Sequence, residues 1–197
     1  MKCYESIVCR ENEKRVASAR MNPHEIKERL NRALDDFIST DADLLIYNAS
    51  ERAISHKLAE HMGKYFQGWD IDCEYNRIGK HQQKKLVYYS RERFMQAKQA
   101  GAIPDFIVSF EELQNSEHAV PVYPDIVVHQ RGNPTANFLI VEVKKSNNPD
   151  VILGWDQWKI EFFRANLNYQ AGVFISFNVG DDAGRLENRI HIMEWSM

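Results

Sequence analysis

The sequence predicts an α/β protein, with helices packed on a central mixed β-sheet in one domain. Three observations carry that prediction. The apolar residues change period along the chain in the order helix, helix, three strands, helix, two strands, so a crossover helix interrupts a run of strands. The 197 residues, 44% hydrophobic and 27% charged, suit one well-buried domain and are too few for two comfortable ones. Finally, Tyr123 to Lys145 reads as two β-rich runs around a polar turn, Gln130 to Asn137, which carries Gly132 and Pro134.

Residues 1–20 are polar, charged and aperiodic, and read as an N-terminal extension to a domain spanning 21–197. Asn22-Pro23 opens the first helix, with Asn as N-cap, Pro at the first helical position and Glu25 at the third. Ile26, Leu30, Ala33 and Phe37 then make one apolar stripe. Residues 41–49 bridge to a second helix, capped by Ser50, which buries Ile54, Leu58 and Met62 and is expected to stop at Gly63. Trp69 to Arg77 alternates as a strand, with Ile71, Cys73 and Tyr75 on one face and Asp72, Glu74 and Asn76 on the other. An insertion at about 80–120 follows, with a helix expected near residues 90–100. After the hairpin come a loop over 149–155, a helix over 156–166, a strand over 171–178, a turn at Gly180-Asp181-Asp182 and an edge strand over 189–194.

Several function classes are excluded. No apolar run approaches the roughly 20 residues that cross a bilayer. The start, MKCYESIVCRENEKR, lacks the apolar core of a secretory signal, so the expectation is a cytoplasmic protein without a membrane partner. Cys3, Cys9 and Cys73 match neither a disulfide framework nor a zinc pattern, and Cys73 reads as a small core residue. His56 and His61 are five apart on one helix and diverge around it, and there is no H-E-x-x-H, Walker A loop or G-x-G-x-x-G. The net charge of −3 does not announce nucleic-acid binding, although local distribution matters more than the total.

The hairpin holds the most chemistry. Asp125 opens its first strand, while Glu142 and Lys144 close the second. Antiparallel pairing about Asn133–Pro134 sets Asp125 opposite Val143. Glu142 and Lys144 are two apart and leave the same face. Two carboxylates and an ammonium at one end of an apolar hairpin suit a hard divalent cation and an activated water beside a phosphate. The plainer reading is a hairpin ending in solvated charges. Pro104-Asp105 also precedes an apolar run, but Glu111 and Glu112 follow it with no E-x-K strand at hairpin distance.

Pro124-Asp125 followed by Glu142-Val143-Lys144 resembles the signature of the PD-(D/E)XK nuclease superfamily, whose restriction-endonuclease-like core has the order αβββαβ. Glu51-Arg52 with His56, Leu58 and Ala59, and then Asp72 to Arg77, resemble blocks of a group of small microbial nuclease-like proteins, so the likeness covers roughly residues 40–180. Gln157 is followed four residues later by Glu161 rather than tyrosine, which departs from the Q-x-x-x-Y of RecB-type members.

The resemblance implies a metal-dependent nuclease, acting on DNA in preference to RNA, in processes such as restriction, phage defence or repair. Asp125 and Glu142 would ligate Mg²⁺ or Mn²⁺, with the Val143 carbonyl as a further ligand. Lys144 would hold the attacking water and offset charge on the phosphate. A lysine beside two carboxylates stays protonated unless burial opposes it. Glu51 either supplies another acid to the metal or simply favours the dipole of its helix. Glu74 is either a further ligand or an exposed strand residue. Lys145 points opposite to Lys144 in a regular strand and reads as a sheet-face or phosphate-contacting charge. The alternative to an enzyme is a nuclease-like module that binds nucleic acid or protein within a larger assembly.

Two further stretches bear on partners. Lys80, Lys84, Lys85, Arg91, Arg93 and Lys98 stand against Glu92 alone, interleaved with Tyr88, Tyr89 and Phe94. That mixture suits phosphate contacts with base stacking, or else a solvated helix with its aromatics in the core. Trp155, Trp158, Phe162 and Phe163 read as core or inter-subunit packing, which allows a homodimer or a partner subunit. Lys159 beside them is a weaker candidate for a phosphate contact.

Overall fold

The structure, a computed structural model, describes residues 21–75, 99, 123–147, 153–184 and 189–197, without the side chains at 153–156, 158, 162, 166 and 184. The N-terminal extension, nearly all of the basic-aromatic insertion, Asn76-Arg77 and the aromatic side chains of Trp155, Trp158 and Phe162 lie outside the described residues.

Helix α1 (Pro23–Thr40) starts as its sequence dictates, with Asn22 Oδ1 accepting from the His24 N–H at 2.9 Å. The bridge beyond it is not plain loop, since a one-turn helix α2 (Asp43–Ile46) buries Leu45. Helix α3 (Glu51–Tyr65) is capped by Ser50 Oγ on the Ala53 N–H at 3.2 Å. It does not stop at Gly63, as expected, but runs to Tyr65. A helical glycine costs about 1 kcal/mol against alanine. Carrying the helix past it delivers Phe66 into the core and Tyr65 O to the Arg29 guanidinium at 2.6 Å.

Strand β1 (Asp70–Cys73) is shorter than expected. Glu74 adopts φ +52°, a left-handed conformation that ends the extended run and breaks the expected alternation. The remaining elements are β2 (Ile126–His129), β3 (Asn137–Lys145), α4 (Leu153–Leu167), β4 (Ala171–Phe177), a 3₁₀ turn (Gly180–Gly184) and β5 (Ile190–Ser196). Helix α4 begins three residues earlier than the pattern suggested, and β5 runs two residues further.

The five strands form one sheet in sequence order. β1, β2 and β3 pair antiparallel, β3 and β4 parallel, β4 and β5 antiparallel. The crossover through α4 makes the single parallel pair possible. The sheet is therefore mixed, as the order of elements predicted. The hairpin register differs by one from the expectation. Ile126 pairs with Val141, which puts Asp125 across from Glu142, and the ladder is irregular between Val128 and His129.

Both faces of the sheet are covered. Ile126, Val128, Leu139, Val141, Val143, Val173, Ile175 and Phe177 pack with Ile26, Leu30, Phe37, Ile54 and Leu58 of α1 and α3. Alternation turns Ile140, Glu142, Lys144, Gly172, Phe174 and Ser176 to the other face, where α4 lies. Gly172 is required there, because a Cβ would stand 2.1 Å from Ile160 Cγ2 of that helix.

Candidate active site

Strand β3 outruns β2. Beyond the Ile126–Val141 pair, its edge continues through Val143 and Lys145, whose N–H groups point to the β2 side. Side chains meet both. Asp125 Oδ2 accepts from the Val143 N–H at 2.7 Å, and Glu51 Oε1 accepts from the Lys145 N–H at 3.3 Å. The end of the central strand is thus bound by two carboxylates, one from the start of β2 and one from the first turn of α3. Glu51 Oε2 also receives Lys144 Nζ at 3.4 Å. The Val143 carbonyl leaves by the same edge as its N–H, beside Asp125.

A cleft of about 380 Å³ opens over this end of the sheet, lined by Glu51, Asp125 and Glu74, with Ser50, Arg52, Ser55 and His56 from α3. The structure thereby brings together Glu51, Asp125 and Glu74, three of the predicted residues, around one cleft. Glu74 is held by Arg52, 2.7 Å away, in an exposed pair of small energetic consequence. Ser55 Oγ donates to Glu51 O at 2.8 Å. Lys145 is as predicted on the opposite parity from Lys144, and its Nζ donates to Asn48 Oδ1 at 2.9 Å.

Glu142 occupies a different setting. It is 1% exposed, on the α4 face, and its Oε2 accepts from Lys159 Nζ at 2.8 Å. The two lysines have therefore divided the acids. The lysine of the E-x-K stands on Glu51 from α3, and a lysine of α4 stands on the glutamate of the E-x-K. Lys159 was underrated by sequence reading, though a signal existed. A glutamate inside an otherwise apolar strand needs a counter-charge, and Lys159 is among the first basic residues on the helix that packs over it. Gln157, on the same helix, hydrogen-bonds Glu194 of β5.

Burial moves one titratable group beside the site. The Cys73 thiol, half-buried, is pushed up to about 11 by desolvation and then by the negative charges of Asp125, Asp72 and Glu74. On β1, Asp72 is held by the buried His129 Nε2 at 2.8 Å and by Arg131 Nε at 2.7 Å. Burial raises its carboxyl, yet these hydrogen bonds outweigh it and leave the group below its ordinary value.

The donor chemistry fits a hard divalent cation. Mg²⁺ keeps several waters and commonly takes only one or two carboxylates, with substrate phosphate completing the shell. Asp125 and Glu51, bordering one cleft, satisfy that requirement. Among the described residues, no three His, Cys, Asp or Glu side chains lie close enough together to hold an ion by themselves. Also among the described residues, no helix is long and apolar enough to cross a membrane.

The chain matches no family model, no curated protein and no solved structure.

Proposed function

We propose that the protein is a divalent-metal-dependent phosphodiesterase of the PD-(D/E)XK kind, acting on nucleic acid and on DNA before RNA. The observation that carries this reading is the paired capping of the β3 edge. Asp125 and Glu51 come from separate elements, yet both are aimed at the end of the strand that bears Glu142 and Lys144. A purely structural strand end has no need of two carboxylates and two lysines.

Asp125 and Glu51 would hold Mg²⁺ or Mn²⁺, with the Val143 carbonyl and Glu142 as further ligands and Glu74 at the rim. Bound there, the ion would acidify a water and draw charge from the phosphate. The chain's own groups do the rest. Lys144 stays charged beside Glu51, orients the attacking water and offsets charge growing on the non-bridging oxygens. Arg52 and His56, on the cleft wall, meet the phosphate backbone. An exposed arginine can exchange Glu74 for a phosphate at small cost. Restriction, phage defence and repair are the processes in which such an activity is used.

A second reading, a nuclease-like module that binds without cutting, is favoured by one observation: Glu142 is buried and bound to Lys159. One assay separates the two. Purified protein is incubated with single- and double-stranded DNA and RNA in Mg²⁺, Mn²⁺ or EDTA, beside Glu142→Ala and Lys144→Ala. Metal-dependent cleavage lost in both variants supports the enzyme. Binding without cleavage by the wild type on every substrate supports the module.

A further inference from the structure

Lys159, the partner of Glu142 on α4, has no part in the proposed chemistry. The Glu142 carboxylate is 1% exposed, and the ammonium on α4 lies 2.8 Å away, with only 11% of the Lys159 side chain exposed. A buried charge pair of this kind is held in place by mutual need. Removing one member leaves the other uncompensated in a poorly solvated place. The carboxylate also cannot serve two cations fully, because an ammonium and a divalent ion close to one another repel strongly where water is scarce. Strand β3 meanwhile carries Lys144 to Glu51, so the lysine adjoining Glu142 in sequence is engaged elsewhere.

We infer that Lys159 is a positioning residue whose ammonium holds the Glu142 carboxylate in the ion-free protein and competes with the divalent cation for it. The inference rests on the metal-dependent reading. It adds a control to it: Asp125 and Glu51 receive the ion first, and Glu142 joins only as Lys159 yields. Lys159 therefore weakens resting metal affinity and holds the buried carboxylate in place until it is needed. α4 becomes part of the site through this contact, although none of its described side chains lines the cleft.

The test is Mn²⁺ binding by electron paramagnetic resonance, a readout independent of turnover. Lys159→Gln removes the charge but keeps a hydrogen-bond donor toward Glu142. It is expected to tighten Mn²⁺ binding about tenfold. Lys159→Arg keeps the charge and should leave affinity at or below the wild-type value. In Glu142→Gln, adding Lys159→Gln should produce no tightening. Unchanged affinity in Lys159→Gln, or a gain that persists without Glu142, overturns the inference while leaving the metal site standing. No Mn²⁺ uptake by wild type or by Lys159→Gln overturns both the inference and the proposed function. A second measurement dispenses with Lys159→Gln, should that variant fail to fold. In ¹⁵N-lysine spectra, Mg²⁺ is expected to shift the Lys159 ammonium resonance, assigned from Lys159→Arg. A resonance unmoved at saturating Mg²⁺ contradicts the inference.

Discussion

Asp125 accepts the backbone N–H of Val143 at 2.7 Å, so the first residue of one hairpin strand binds the end of its partner. The contact has a structural half and a chemical half, and two substitutions separate them. Asp125→Asn keeps an oxygen for the Val143 N–H but removes the charge. It should retain stability and lose metal-dependent cleavage. Asp125→Ala removes the acceptor as well and should also lower unfolding stability, by about 1–2 kcal/mol. Denaturant titration beside the cleavage assay checks both. Equal stability loss in the two variants would mean that charge, not the hydrogen bond, holds the strand end.

Gly172 of β4 lies directly against Ile160 and Arg164 of α4. Gly172→Ala places a methyl 2.1 Å from Ile160 Cγ2, a contact that forces helix or side chain to move. The expected loss is about 1–3 kcal/mol. Ile160→Ala in the same chain should relieve part of it, measured by chemical denaturation of the single and double variants.

Cys73 reports on the charges of the site without touching substrate. With its thiol raised to about 11, little thiolate exists at pH 8. In a Cys3→Ser, Cys9→Ser background, its alkylation should run about a hundredfold slower than that of an unperturbed cysteine. Asp125→Asn removes one of the charges that raise the thiol and should speed the labelling. An unchanged rate in that variant would place Asp125 further from Cys73 than the structure does.

Asp72 gives an acid-side dependence. Its folded carboxyl sits below the ordinary 3.8, so the folded state favours the ionised form. The stability this adds is fully present above the unfolded value and is lost as pH falls through the lower folded value. In Asp72→Asn that part of the acid transition should disappear, while stability at pH 7 drops by about 1–2 kcal/mol, a figure reduced by the exposure of Arg131. Stability curves from pH 7 to pH 2 that stay parallel for the two chains would contradict this.

Much of the fold was legible because apolar period and capping residues act locally. Asn22, Ser50 and the Ile26–Phe37 stripe fix their helices whatever the tertiary context. Helix α3 passes Gly63 because distant packing of Phe66 outweighs a local preference, and β1 ends early because Glu74 takes a left-handed conformation that no pattern announces. At the site, the sequence named the acids but not their partners. The hairpin register sits one residue from the expected pairing, and the division of Lys144 and Lys159 between Glu51 and Glu142 depends on how two helices sit on a sheet. The His129–Asp72–Arg131 network went unseen for the same reason: its members join across neighbouring strands.

The central claim is that the β3 end is a metal-dependent phosphodiesterase site. Cleavage of DNA in Mg²⁺ by wild type, Asp125→Asn and Asp72→Asn tests it most directly, since the last removes a carboxylate of β1 that is bound to His129 and Arg131 and stands outside the residues that line the cleft. The account predicts cleavage by wild type that EDTA abolishes, a loss of about 10²-fold or more in Asp125→Asn, and a rate near wild type for folded Asp72→Asn. Cleavage that survives Asp125→Asn, or that falls equally in both variants at equal folded fraction, would contradict it.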